Sequence, residues 1–408
     1  MGALISTEQQ AILGLLSKNI FGKSYIVDEN IDWENVCKES RAQSVLPLIF
    51  AHSNDFNVLP QELKTKVETA ILKNTNRTIH NRRCHAYLHK LMTDAGIEYC
   101  ILKGVTSAHY YPEPLLRPMG DVDFYVSPEN IPKACEVLEK DGFVTEDKFK
   151  SGEGHHLVYK KTGYHFEMHY EITGVPHSKM GETISYMFSD ICDKSMITND
   201  EFVTFMMPSR FHHGLVMLLH LQNHMIIEGV GLRHLCDWAV FVNSFEGYEF
   251  AEVFATKLKT IGLWKFCNVL THACSLYLSM PEPEWLDNSD TAAAHKFINE
   301  VLTGGNFGRK RENIRYEGMI MSVQGRDGKK RGPIAQGFKT LNHNANVHWP
   351  FLKKLPFLYP IAWIYFILRL FVLITIGQRP NLKIIDSIQN SNKRNKFYDS
   401  LKLFEPEE

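Results

Sequence analysis

Several features are missing from this chain of 408 residues, and each absence argues against a class of protein. The formal net charge is -1, so no overall positive field draws the chain to nucleic acid or to an anionic surface. The eight cysteines include no Cys-x-x-Cys pair, which favours reduced thiols over a disulfide framework or a zinc site. The N-terminus lacks a basic stretch followed by an apolar one, so we expect a cytoplasmic protein.

Two familiar signatures of enzyme chemistry are also absent. The chain has neither a Walker A loop nor a His-x-Asp catalytic loop, which disfavours kinase-type phosphoryl transfer. His220 and His224 have the four-residue spacing of a metal-binding helix, but no Glu follows His220 and leucines surround it. We therefore predict a packed or ligand-lining helix there, and no zinc hydrolase.

Hydrophobic periodicity divides the chain into four parts. Apolar residues recur at three- and four-residue spacing in the first part, which predicts helices and ends in a long helix from about Pro60 to Ala95. Short strands follow, then helices again, then an apolar segment with a polar tail. The predicted parts are an N-terminal helical region (1–95), a core that contains the strands (96–177), a helical domain (178–350) and an apolar helix with its tail (351–408).

The second part predicts a small sheet. Ile97 to Leu102 and Asp121 to Val126 are strand candidates, and the segment between them, from Gly104, can form one helix. After a further helix, Thr162-Gly163 joins two more strands, 155–161 and 164–172, as a hairpin. The fold class is α+β: a small mixed sheet with helices on one side, flanked by N-terminal and C-terminal helical regions.

Three carboxylates form the candidate catalytic centre. Asp121 and Asp123 are two residues apart in a strand, so both side chains point to the same face. Glu167 lies on one face of the later strand, and approaches the aspartates if the two strands are neighbours. Like charges held together repel unless a cation lies between them, and a divalent metal with oxygen ligands fits best. The pattern indicates a two-metal cage.

An alternative interpretation gives these acidic residues no catalytic role. The acids can be the solvated face of an antiparallel sheet, and for Glu171 we prefer that interpretation. It is weaker for Asp121 and Asp123, because aspartate has low strand propensity and Arg117-Pro-Met-Gly shapes the approach to the strand.

A set of motifs resembles a known family. They are Leu102-Lys-Gly, Tyr110-Tyr-Pro-Glu-Pro-Leu-Leu-Arg117, Asp121-Val-Asp-Phe-Tyr-Val, Glu167-Met-His169, Gly231-Leu-Arg-His-Leu-Cys-Asp-Trp238, Gly304-Gly-Asn-Phe-Gly308 and the aromatic run near Trp363. Together they resemble the uncharacterised bacterial nucleotidyltransferase family of the DNA-polymerase-beta-like superfamily. The resemblance covers most of the chain.

The resemblance implies transfer of a nucleoside monophosphate from an NTP such as ATP to a hydroxyl-type acceptor, with release of pyrophosphate. In that picture Asp121 and Asp123 bind two magnesium ions, or manganese in their place, and Glu167 completes the site nearer the acceptor. The acceptor stays open among a small molecule, a glycan, an RNA and a protein. A catalytically inactive module that senses nucleotides or binds a partner is the alternative on the same fold.

Further residues are candidates for nucleotide contacts. Superfamily members usually carry Gly-Ser where this chain has Lys103-Gly104-Val-Thr-Ser107. Gly104 can present N–H groups to an anion, Lys103 can place a charge on a phosphate or lie on the surface, and Ser107 is a weaker candidate. Arg117 can pair with Asp121 or with a substrate phosphate, and the two alternatives are even.

The later motifs add three candidates. Arg233 and Asp237 are one helical turn apart and can form a local ion pair, whereas the resemblance implies that Arg233 faces the nucleotide. Asp237 and His169 are assigned to the acceptor or to supporting positions. A strand histidine beside an acid is as often a structural hydrogen bond, so His169 ranks below the three carboxylates.

Two remaining segments concern partners. The basic clusters 309–311 and 329–331 are short and lack interleaved aromatics, so the chain shows no strong nucleic-acid pattern. Residues 355–376 are long enough to span a bilayer but contain Pro356, Pro360 and Arg369. We favour packing against the protein or peripheral contact with a membrane.

Overall fold

The computed structural model describes residues 5–28, 30–145, 155–200, 203–311, 348–375 and 384–407, with scattered positions between 314 and 346. The helices are α1 (Thr7–Phe21), α2 (Trp33–Ala42), α3 (Leu46–Ile49), α4 (Gln61–Asp94), α5 (Val105–Ala108), α6 (Ile131–Lys140), α7 (Lys179–Met187), α8 (Arg210–Ile227), α9 (Leu232–Val242), α10 (Glu249–Thr260), α11 (Trp264–Leu278), α12 (Thr291–Gly304), α13 (Tyr359–Thr375) and α14 (Ile384–Leu401). The strands are β1 (Tyr99–Ile101), β2 (Val122–Val126), β3 (His156–Lys161), β4 (Tyr164–His169), β5 (Met196–Asn199) and β6 (Thr204–Met207).

The first four strands form one mixed sheet in the order β1-β2-β4-β3. The outer pairs, β1 with β2 and β3 with β4, are antiparallel, whereas β2 and β4 run parallel. The parallel pair matters most, because it places Asp123 opposite Glu167. The predicted α+β fold, the hairpin and the neighbouring strands are confirmed.

Helix α4 connects the sheet with the helical part of the molecule. Its first turns bury Leu63 and Val67 in the core of the helices, and its last turns bury Leu88 and Met92 against the sheet. The helix stops at Gly96, whose φ of +59° lies in the left-handed region that glycine adopts without strain. The predicted long helix is confirmed.

The helices on either side of the sheet in the sequence share one hydrophobic core. Leu16 of α1, Leu235 of α9 and Leu270 of α11 are fully buried in the same cluster. The C-terminal helix α14 joins this cluster through Tyr398. The helical part is therefore assembled from both ends of the chain, around a sheet inserted between them.

Two elements differ from the prediction. The helix predicted from Gly104 has only four residues, because Pro112 and Pro114 follow closely and prevent a longer one. The stretch after α7 was predicted to be helical, but β5 and β6 form a small hairpin there. Burial alternates only in β6, where Phe205 and Met207 are buried, whereas Met196 and Ile197 of β5 are both exposed.

Helix α13 differs from every helix of the core in its surroundings. Its side chains Ile361, Ile364, Ile367, Leu368 and Val372 are each at least 50% exposed. Of the residues that the structure describes, a small cluster around Leu352 and Ala362 packs against it. Among the described residues, no helix has the length and apolar character needed to cross a bilayer. Position 376, at the end of the predicted segment, lies outside the described residues.

Candidate active site

A cleft of about 570 Å³ lies between the sheet and helices α8 and α9. Every sequence-predicted site residue lines it. From the sheet side come Lys103, Gly104, Ser107, Arg117, Asp121, Asp123, Glu167 and His169, and from the helical side Arg233 and Asp237. The fold therefore brings together residues that are more than 130 positions apart in the sequence.

The three predicted carboxylates converge at the edge of β2 and β4. Asp121 directly precedes β2, Asp123 lies within it, and Glu167 is the residue opposite Asp123 on β4. Their side chains form two overlapping groups with histidines: Asp121, His165 and Glu167 in one, and Asp123, Glu167 and His169 in the other. Within each group the potential ligand atoms lie within 4.8 Å of one another.

This donor set fits divalent cations. Carboxylate oxygens are the ligands that magnesium and manganese prefer, and Glu167 belongs to both groups. His165 was not singled out from the sequence, although it shares the strand face of Glu167. Its Nδ1 lies 2.8 Å from Asp121 Oδ1. The alternation of β4, which pointed to Glu167, places His165 on the same face.

The charges of Asp123 and Glu167 are unevenly compensated. Burial alone would raise the pKa of Asp123, but the charge of Lys103 and a hydrogen bond from His169 outweigh burial and hold that pKa well below its usual range. Burial and the neighbouring Asp123 charge raise the pKa of Glu167 to about 7. Burial lowers the pKa of His169 to about 4, so this imidazole is neutral at pH 7 and donates from Nε2 to Asp123.

Lys103 and Gly104 occupy the entrance to the short helix α5. Lys103 Nζ lies 3.1 Å from Asp123 Oδ1, so the lysine pairs with the carboxylate cluster. Gly104 has φ +77° and ψ -110°, a conformation that strongly favours glycine. Ser107 is 2% exposed, and its Oγ lies 3.4 Å from His213 Nε2.

Arg117 pairs with Asp237 rather than with Asp121, the protein partner considered from the sequence. Its Nε and Nη2 each donate to a different oxygen of Asp237, both at 2.7 Å. The Tyr111 hydroxyl donates to the same carboxylate at 2.8 Å. Arg117 and Asp237 are 4% and 7% exposed, so this is a buried, bidentate ion pair between the sheet side and α9. The partner is 120 residues away, a distance at which local spacing carries no information.

Arg233 has a different environment from Arg117. Its Nη1 donates to the carbonyl of Pro118 at 3.2 Å. Burial, and then the charge of Arg117, lower its pKa to about 10. The residue lies beside His220, His224, His234 and Phe307 in the cleft lining. The helix that carries His220, predicted to be packed or ligand-lining, lines this cleft.

The basic cluster 309–311 contacts the protein itself. Lys310 Nζ lies 2.7 Å from Glu39, and Arg311 lies 2.9 Å from Glu317. The second predicted cluster, 329–331, lies outside the described residues.

Comparison with known proteins identifies the family. The model of the family described as "Uncharacterised nucleotidyltransferase" matches residues 29–279, and the chain belongs to this family. The match includes all the predicted site residues and supports transfer of nucleotidyl groups as the class of activity. Searches of curated proteins and of solved structures found no match.

Proposed function

We propose that this protein is a metal-dependent nucleotidyltransferase of the DNA-polymerase-beta-like type that uses an NTP. The acceptor oxygen forms a bond to the α-phosphorus and its hydroxyl proton passes to water. The bond from that phosphorus to the bridging oxygen breaks, and pyrophosphate leaves with the electron pair. The observation that carries the proposal is the convergence of Asp121, Asp123 and Glu167 on one edge of the sheet. Carboxylates this close together repel each other, and bound cations would relieve that repulsion.

The carboxylates would hold two magnesium ions, or manganese in their place. Asp121 would supply an oxygen ligand to one ion and Asp123 to the other. Glu167, which belongs to both groups, would complete them on the side nearer the acceptor. When bound, the ions neutralise the developing charge on the phosphate and on the attacking and leaving oxygens. His169 orients Asp123 through its Nε2 hydrogen bond.

The remaining predicted residues would position the nucleotide. Lys103 would exchange its contact with Asp123 for a contact with a phosphate once metals neutralise the carboxylates. Gly104 and Ser107 lie beside it at the start of α5, and Arg233 faces the same cleft. Arg117 and Asp237 would support the site indirectly, because each already satisfies the other.

Equilibrium binding tests the proposal. Wild type should bind an NTP with magnesium, and the double variant Asp121→Ala with Asp123→Ala should bind it at least 100-fold more weakly, an effect of about 3 kcal/mol. Glu136→Ala is the matched control, because Glu136 is an exposed acid on α6 away from the cleft. Unchanged binding by the double variant would show that the carboxylates are not the nucleotide site.

A catalytically inactive nucleotide sensor is the second candidate. The observation in its favour is that Lys103 already neutralises part of the charge of Asp123, as a metal would. Incubation with α-labelled NTP, magnesium and cell lysate separates the two functions. An enzyme transfers label and releases pyrophosphate, both dependent on Asp121 and Asp123, whereas a sensor binds the nucleotide and does neither.

We further propose that the protein works in the cytoplasm and contacts a membrane peripherally through 355–376. Residues 349–385 contain five Lys or Arg and no acidic residue, so the exposed apolar side chains of α13 are flanked by charge that complements anionic lipid. The acceptor stays open among a small molecule, a glycan, an RNA and a protein.

Vesicle sedimentation tests the membrane contact. Wild type should bind vesicles that contain phosphatidylserine and leave neutral vesicles unbound. Ile364→Asp with Leu368→Asp should abolish this binding, because both side chains are exposed on α13. Leu276→Asp is the control, since Leu276 is similarly exposed on α11. Equal binding by the α13 variant and the control would contradict the proposal.

A further inference from the structure

The helical side of the cleft gathers polar atoms without partners. Buried nitrogens of three cleft-lining residues have no hydrogen-bond partner among the described residues. They are Nε of Arg233, Nδ1 of His220 and Nε2 of His234. Buried polar groups are normally paired, so a cluster of exceptions facing one cavity indicates a missing ligand.

At least two of these atoms are hydrogen-bond donors. His234 Nδ1 accepts the N–H of Gly231 at 3.4 Å, so the proton of this imidazole lies on Nε2. Arg233 uses Nη1 on the Pro118 carbonyl, and its Nε–H is a donor in every state of the guanidinium. His234 is only 7% exposed. Two buried donors therefore point to an acceptor atom.

The local charge favours an anionic acceptor. Arg117 takes both oxygens of Asp237. Burial, and then the charge of Arg117, lower the pKa of Arg233, while the charge of Asp237 acts in the opposite direction. On the α8 side, the positive charge of Lys103 acts on His220 and His224, while Glu228 lies 3.4 Å from His224. Burial keeps the three histidines neutral, because it lowers the pKa of each. Among the residues that the structure describes, Arg233 forms no ion pair, so its charge favours an anion in this part of the cleft.

Phe307 closes the same cluster in a strained conformation. Its φ of 55° lies in the left-handed region, which is unfavourable for a large side chain. Its ring lies 5.1 Å from the His224 ring and 5.9 Å from the Arg233 guanidinium, yet is 38% exposed. Strain of this kind is typical of binding sites, where the surrounding structure imposes it.

We infer that Arg233, His234 and His220 form a second anion-binding subsite, which takes a phosphoryl group. The inference rests on the proposed function for its biological meaning, but the subsite itself needs no metal. The phosphoryl group has two sources, the terminal phosphates of the NTP or a phosphate carried by the acceptor. Either source places an anion on the helical side of the cleft, while the carboxylates act on the sheet side.

Metal-free calorimetry with inorganic pyrophosphate tests the subsite directly. In EDTA, wild type should bind pyrophosphate, and Arg233→Gln with His234→Gln should weaken binding at least about tenfold, as expected for loss of a charge-assisted hydrogen bond. His295→Gln is the matched control, because His295 is exposed on α12. Arg233→Lys keeps the charge and replaces the double variant if the latter fails to fold.

The results separate subsite from enzyme. The subsite would be supported, and the proposed function refuted, by two results together. The double variant Asp121→Ala with Asp123→Ala would still bind pyrophosphate, and wild type would not bind magnesium NTP. Wild type that binds no pyrophosphate in EDTA, or a Gln double variant that binds it as tightly as wild type, would overturn the inference.

Two further arms identify the source of the phosphoryl group. If the subsite holds the NTP, the Gln double variant loses affinity for magnesium NTP and keeps its affinity for magnesium NMP. If the subsite holds the acceptor, the Gln double variant binds magnesium NTP as wild type does. When both proteins are saturated with a non-hydrolysable NTP, wild type binds inorganic phosphate and the Gln double variant does not. No change in either arm would also contradict the inference.

Discussion

Two acid–base clusters line the same cleft, and they differ in how completely their charges are paired. Arg117 and Asp237 form two parallel hydrogen bonds, and Tyr111 adds a third to the same carboxylate. In the other cluster, Asp121, Asp123 and Glu167 crowd together, and Lys103 is the lysine that compensates them. The first cluster is self-sufficient, and the second has more negative charge than the protein neutralises.

This difference separates structural charges from chemical ones. A fully paired buried cluster fixes two elements relative to each other, because removal of one partner leaves the other charge buried and unpaired. A crowded cluster destabilises the free protein and favours whatever cation can relieve the repulsion. The motif residues Arg117 and Asp237 therefore have a structural explanation, whereas the carboxylates on β2 and β4 do not.

Removal of Asp237 should have the largest effect on stability. In Asp237→Ala the Arg117 guanidinium remains buried without its partner, so we expect the free energy of unfolding to fall by about 3–5 kcal/mol. Urea denaturation measures this, with Glu136→Ala as the control. Arg117→Met combined with Asp237→Leu should recover most of the loss. If Asp237→Ala unfolds like wild type, the two clusters do not differ as described.

The pH dependence of stability should identify the crowded cluster. Because the pKa of Glu167 is raised from 4.5 to about 7, its contribution to stability is fully present below pH 4.5 and is lost as the pH rises through about 7. The loss should reach about 3 kcal/mol in EDTA. Glu167→Gln should remove this part of the pH dependence, as denaturation at several pH values would show. A parallel pH dependence in both proteins would contradict it.

Magnesium should stabilise the crowded cluster and leave the paired one unaffected. At a concentration 100 times its Kd, a ligand that binds only the folded state adds about 2.7 kcal/mol to the free energy of unfolding. We expect such an increase for wild type and none for Asp121→Ala with Asp123→Ala. Thermal denaturation across a magnesium titration measures it, with calcium and manganese in parallel. Equal stabilisation of both proteins would place the metal elsewhere.

The contrast between the clusters also explains what the sequence could predict. Strand alternation is local, so Asp121, Asp123 and Glu167 were recognised and their neighbouring strands are confirmed. The partner of Arg117 lies 120 residues away, and helical or strand spacing carries no information at that range. Local alternatives, such as Asp121 for Arg117, were therefore considered instead of Asp237.

The helical side of the cleft was less accessible to prediction for the same reason. His220 and His224 follow helical spacing and were recognised as ligand-lining candidates, but His234 and Phe307 reach them only through the packing of α8, α9 and the turn after α12. The β5–β6 hairpin was missed because its strands have only four residues each, too few for alternation to stand out.

Lys103 affects both metal binding and nucleotide binding at the crowded cluster. Its removal should have the smallest effect of these changes. Lys103→Met removes a cation that competes with metals for Asp123, so magnesium alone should bind more tightly, by about 1 kcal/mol or roughly fivefold. Magnesium NTP should bind more weakly by a similar factor, because a phosphate contact is lost. Calorimetry of the metal alone and of the metal nucleotide gives both numbers from one variant. Opposite changes are specific to a lysine that exchanges a carboxylate for a phosphate. A change of the same sign in both titrations would mean that Lys103 serves only to neutralise Asp123.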